Sequence, residues 1–136
     1  MIEFEVLGRP KGKERPRLGK YGHTYTPRGT KEYEEQVQEA FKLKYGNIEP
    51  LEGAIRACIY AVFEVPKSYS KKRRQEILEK ERLYTYKPDG DNIAKAILDS
   101  LNGLAFKDDA QVTCLIVEKM YGEEAGVLVQ LEQIKQ

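Results

Sequence analysis

The sequence predicts an α+β fold, a mixed β-sheet with helices packed on it. Three observations carry this expectation. Strand-like and helix-like stretches are interspersed without a regular βαβ repeat. Ile55 to Phe63 is an almost unbroken run of apolar, β-branched and aromatic residues, which reads as a central strand. Two other stretches, ending near Tyr45 and Leu101, place apolar residues at helical spacing among polar ones. The 136 residues suit one compact domain over 1–136, with no internal repeat or low-complexity tract.

The elements follow in order. Residues 2–7 alternate, Ile2, Phe4 and Val6 on one face and Glu3 and Glu5 on the other, so they read as a half-buried strand. From Arg9 to Lys31 runs a stretch with eight Lys or Arg residues, Glu14 as its lone acid, three prolines and four glycines; it reads as a mobile basic loop. Thr30 is a candidate cap for a helix running to about Tyr45. Its apolar face is Tyr33, Val37, Ala40 and Phe41, and Glu32, Glu34 and Glu35 suit the positive end of its dipole. Gly46 and Asn47 stop it. The run 55–63 is expected to be covered on both faces, and Pro66 ends it. Ser68 or Ser70 caps a second helix, roughly 70–82. It is nearly all charged, so it is either a solvated face or a helix lying against a phosphate backbone. Tyr84 and Tyr86 suggest a short strand. Residues 92–102 read as a third helix with the stripe Ile93, Ile97, Leu98 and Leu101, ended by Asn102-Gly103. Strands at 112–117 and 126–134 close the chain, joined by a turn at Gly122-Glu123-Glu124.

Composition excludes several classes of function. A chain 40% hydrophobic and 33% charged is that of an ordinary soluble protein. No apolar run approaches the roughly 20 residues that span a bilayer, and MIEFEVLGRP does not read as a signal peptide. A cytoplasmic location without a membrane partner is the default expectation. Cys58 and Cys114 lack CxxC partners and read as two buried free thiols. His23, in a polar loop, cannot alone build a His-rich metal site, and a Ser-His-Asp or Cys-His mechanism would have to rest on it alone.

The acids are distributed unevenly. All five Asp residues, Asp89, Asp91, Asp99, Asp108 and Asp109, fall within 21 positions, and no Glu lies between Glu81 and Glu118. The short Asp side chain holds its carboxylate close to the backbone, which suits a fixed ligand around a hard cation. Asp89-Gly90-Asp91 puts two carboxylates on one side of an extended chain. Gly90 allows close backbone approach, and the third helix opens beside them with anion-binding amides. Lys95 lies one helical turn beyond Asp91, and Asp108-Asp109 arrives before a strand. Such a set suits Mg²⁺ and a phosphate group. Blander roles compete: Asp89 or Asp91 as a helix cap, Asp108-Asp109 as a turn, Lys95 as an i,i+4 partner of Asp99. An EF-hand is excluded: counted from Asp89, ligand positions 5 and 12 hold Ile93 and Ser100, and position 6, which must be glycine, holds Ala94.

Taken together, the run KPDGDNIAKAILDSLNGLAFKDDAQV (87–112) resembles the signature of the RusA family of Holliday-junction resolvases. The shared residues are Asp89, Asp91, Asn92, Lys95, Asp99, Leu101, Asn102, Gly103, Asp108, Asp109 and Val112. The N-terminal GRPKGKERPR and TYTPRGTKEYE are also similar to the family's start, so the likeness spans nearly the whole chain. The resemblance implies a homodimeric α+β endonuclease, dependent on Mg²⁺ or Mn²⁺, that nicks two opposed strands of a four-way junction. It implies Asp89, Asp91 and Asp109 as the essential, metal-binding aspartates, Lys95 as the catalytic lysine and a structural role for Asp99. Some members carry a basic residue directly before the first aspartate; here Pro88 stands there, and Lys87 is the basic residue nearest. Arg9, Lys11, Lys13, Arg15, Arg17, Lys20 and Lys87 are then the expected contacts to the DNA backbone. Two other readings compete: a junction- or branched-DNA-binding protein that does not cut, and a metal-dependent enzyme acting on a nucleotide or nucleotide-sugar.

Overall fold

The computed structural model describes residues 1–135. Four strands form a mixed sheet in the order β1-β6-β4-β5. β1 (Ile2–Leu7) and β6 (Gly126–Gln133) pair antiparallel, β6 pairs antiparallel with β4 (Ile55–Glu64), and β4 pairs parallel with β5 (Val112–Gly122). The parallel β4–β5 pair needs a long crossover, and the segment between them supplies it with two helices, α2 (Lys71–Glu79) and α3 (Gly90–Leu101). Helix α1 (Arg28–Tyr45) packs beside α3 and β1. The expected α+β class with a mixed sheet is what the chain forms.

The core lies between one face of the sheet and α1 and α3. Phe4, Ile59, Val129 and Leu131 from the strands meet Val37 and Phe41 of α1 and Ile93, Ile97 and Leu101 of α3. The Phe4 and Phe41 rings meet edge to face, 5.6 Å between centroids. β4 alternates along its whole length between buried residues and residues that are half-buried or, at Arg56 and Glu64, exposed. The expectation that both its faces are covered is therefore wrong. Ile55, Ala57, Ile59, Ala61 and Phe63 face the helices, whereas Arg56, Cys58, Tyr60 and Val62 lie on the outer face. Cys58 and Cys114 are free, as expected, but half-buried rather than buried, because both lie on that outer face.

Several boundaries differ from the sequence reading for local reasons. Pro27, not Thr30, occupies the cap position of α1, and its fixed φ suits a helix start. Thr30 is buried inside the first turn, where its Oγ1 accepts the Glu14 N–H at 3.3 Å. The first turn of α1 then holds no acid, and Glu32 pairs with Arg28 instead. Gly46 ends α1 with φ 64°, a conformation that glycine adopts without strain. Ser70 caps α2 by accepting the Arg73 N–H at 3.2 Å, and α2 stops at Glu79, three residues short of the expected end. Residues 84 and 86 form no strand; a single bridge joins Leu83 to Met120. The basic loop is not featureless: β2 (Arg17–Leu18) and β3 (Thr24–Tyr25) make a small hairpin within it. Among the described residues no helix is long and apolar enough to cross a membrane.

Candidate active site

Helix α3 organises the site. One side of it, Ile93, Ala94, Ala96, Ile97, Leu98 and Leu101, is buried against the core. That orientation forces the other side outward. Asp91, Lys95, Asp99 and Asn102, spaced by four, four and three residues, form one stripe along it. Asp91 and Lys95 are exposed and take part in no ion pair among the described residues.

The helix begins at Gly90, two residues earlier than expected, so Asp91 sits inside its first turn. Asp89 stands at the cap position with φ −68° and ψ 147°, but its side chain makes no cap hydrogen bond. This removes the bland explanation for Asp89. The carboxylate instead lies 3.1 Å from Lys87 Nζ. A carboxylate at a helix N-terminus that is not used as a cap remains available to a ligand.

Three contacts fix the approach to Asp89. Lys119, from β5, donates to the carbonyls of Tyr86 and Pro88 at 2.6 and 2.8 Å. The Tyr84 hydroxyl donates to the Lys87 carbonyl at 3.1 Å. On the opposite side the basic loop docks on the start of α3, with Lys13 N–H donating to the Asn92 carbonyl at 2.9 Å. Gly12 permits this closeness, since a Cβ there would stand 2.9 Å from the Pro88 Cβ and 3.1 Å from the Asn92 Cβ. Lys119 and Tyr84 were missed by sequence reasoning, because their roles depend on contacts between distant segments.

Docking the loop builds a cleft of about 620 Å³ in which Arg15 and Arg17 face Asp89, Asp91 and Asn92. An adjoining hollow of about 470 Å³ adds Arg9, Lys11 and Lys87. The expected basic residues thus largely surround the aspartate pair, with three qualifications. Lys13 is not free to hold a phosphate. Its ammonium sits 2.7 Å from Glu34 and 2.8 Å from Asp99, with all three side chains about four-fifths buried. Burial opposes its charge, but the hydrogen bonds to Asp99 and Glu34 prevail and hold its pKa above the ordinary lysine value. Asp99 therefore pairs with Lys13, not with Lys95. Arg9 rests over the Phe63 ring and donates to the Tyr84 hydroxyl at 3.1 Å. Lys20 is exposed beside the hairpin, outside both cavities.

Asp109 lies at the other end of the stripe. It opens a 3-10 turn, Asp109–Gln111, and its N–H donates to the Asn102 Oδ1 at 2.9 Å. Gln111 secures this turn: its side-chain oxygen accepts the Lys107 and Asp108 N–H groups, and its amide donates to the Leu51 and Gly53 carbonyls. Hydrogen bonding to Asp108, then partial burial and the charges of Asp108 and Asp99, push the Asp109 carboxyl above its ordinary pKa.

The structure thus brings Asp89 and Asp91 into one cleft and leaves Asp109 apart from them. Among the described residues no three acidic, histidine or cysteine side chains are grouped as a metal cage. Mg²⁺ does not require one: it keeps several of its waters and takes one or two carboxylates together with substrate phosphates. Two uncapped, exposed carboxylates in a basic cleft fit that demand.

Comparison with known proteins shows the family of the chain. The chain is 36% identical over 139 residues to the uncharacterized protein YqaN of Bacillus subtilis (strain 168), covering 98% of this chain and 96% of that relative. The family described as Endodeoxyribonuclease RusA matches residues 8–132, which include the basic loop, α3 and the 3-10 turn. The chain belongs to the RusA family of endodeoxyribonucleases.

Proposed function

We propose that this protein is a Mg²⁺-dependent, structure-selective endonuclease that acts as a homodimer and resolves four-way DNA junctions by paired, symmetric nicks. The observation that carries the reading is the cleft in which Asp89 and Asp91 oppose Arg15 and Arg17. Carboxylates alone would repel DNA; the arginines bring a phosphate to them. Asp89 and Asp91 would hold the ion, and Mn²⁺ is an expected substitute; Asp109, outside their cleft, is assigned to the metal by the family resemblance alone. When bound, the ion supplies an activated water and charge stabilisation at the phosphate. Lys95, between Asp91 and Asp99 on the same face of α3, stabilises the negative charge that develops on the phosphate oxygens. Arg15, Arg17 and Lys11 position the DNA backbone without reading sequence. A two-fold dimer matches the two-fold symmetry of a junction, so each subunit meets an equivalent strand.

The test is to map products on a mobile four-way junction, strand by strand, with Mg²⁺ present. Nicks at equivalent positions on two opposed strands support the proposal. Binding without any nick would favour a junction-binding protein that does not cut.

A further inference from the structure

A second surface adjoins the site. Helix α2 and the segment after it enclose a cavity of about 320 Å³ lined by Tyr69, Arg73, Glu76, Arg82, Tyr86 and Tyr121, among others. That is within the range of small-ligand pockets, about 300–1,000 Å³. Its chemistry is specific. The Arg73 guanidinium lies 3.8 Å above the Tyr69 ring. Tyr86 packs edge-on against Tyr84, 5.7 Å between centroids at 72°, yet Tyr86 is 62% exposed. Its backbone is held by Lys119. Tyr84 beneath it is stacked on Phe63 at 3.7 Å, so the platform is anchored to the core. Residues 67–82 contain seven Lys or Arg residues against three Glu, and none of those seven is in an ion pair among the described residues. Tyr86 stands three residues before Asp89.

Uncommitted cations attract phosphate. An exposed tyrosine on a fixed backbone offers a π-face for a base, and arginine beside it adds a stacking plane. Bases of an intact duplex are stacked within it and cannot reach such a face. We infer that this pocket receives an unpaired nucleobase, splayed from the branch point of the DNA, against Tyr86, while Arg73 and Arg82 hold its flanking phosphates. The pocket would then select branched over continuous DNA beside the cleft. This inference rests on the DNA-processing function proposed above.

The experiment uses the full chain with Ca²⁺ in place of Mg²⁺, and two DNAs: a branched one with unpaired nucleotides at the branch, one of them 2-aminopurine, and a fully paired duplex of equal length. Wild-type protein should quench the 2-aminopurine on binding, and Tyr86→Phe should do the same. Tyr86→Ala should lose the quench and bind the branched DNA at least about fivefold more weakly, the equivalent of about 1 kcal/mol of base stacking. Its duplex affinity should stay within about twofold. Tyr86→Ala that binds and quenches like the wild type, in a protein that still cuts branched DNA with Mg²⁺, overturns this inference alone. Wild-type protein that binds neither DNA overturns it together with the proposed function.

Discussion

Replacing Lys13 by methionine removes the cation shared by Glu34 and Asp99 while keeping most of the side-chain volume. Both N–O distances are below 3 Å, and each side chain is only about a fifth exposed. Exposed pairs contribute about 0–1 kcal/mol, and loss of one partner of a fully buried pair costs about 3–5 kcal/mol. This cluster lies between those limits, so Lys13→Met should destabilise the fold by about 2 kcal/mol, a fall in Tm of roughly 5–10 °C. Urea denaturation at pH 7 measures the cost, and a double-mutant cycle with Asp99→Asn isolates the pairing. The pH dependence has a definite sign. The Lys13 pKa is raised above 10.5 in the folded state. Its stabilisation is therefore complete below pH 10.5 and is lost as pH rises through the folded value. The gap between wild type and Lys13→Met should be constant from pH 6 to 9 and narrow in alkali. The same change should loosen the basic loop, so trypsin should cut after Arg17 and Lys20 sooner. A cost below about 0.5 kcal/mol with no coupling to Asp99 would refute the claim that this cluster fastens the loop to α1 and α3.

Other perturbations test neighbouring parts. Arg15→Ala combined with Arg17→Ala should weaken DNA binding and flatten its salt dependence by roughly one log unit of slope per lost phosphate contact; an unchanged slope takes the cleft arginines out of the interface. Gly12→Ala should push the loop away from Pro88 and Asn92, lowering DNA affinity in a binding titration more than Tm; an affinity equal to wild type would contradict the close docking. Ser70→Ala should cost about 1 kcal/mol in chemical denaturation by removing the cap of α2. A change near zero would show that α2 is not held by its cap.

The sequence made part of this legible and hid part for physical reasons. Alternation in 2–7 and the stripe from Ile93 to Leu101 report one-sided burial directly, so β1 and α3 could be read. In Ile55–Phe63 the outer positions Cys58, Tyr60 and Val62 are themselves apolar, so the pattern suggested two covered faces where there is one. Local composition marked the basic loop, but not that Lys13 is committed to carboxylates on two helices. The aspartate cluster stood out because the chain uses Glu elsewhere. That Asp89 makes no cap bond, and that Asn102 holds Asp109 while Gln111 holds the turn at Asp108, follow from the folded geometry and leave no mark in the sequence. Lys119 and Tyr84 left no local signal, since each acts on a segment far away in the chain.

The central claim is that the carboxylates at the start of α3 perform the cutting. Asp91→Asn keeps the shape of an exposed side chain in the first turn of α3 and removes its charge. Assayed on a four-way junction with Mg²⁺, it should abolish cleavage while leaving junction binding intact. Cleavage by Asp91→Asn at the wild-type rate would contradict the account.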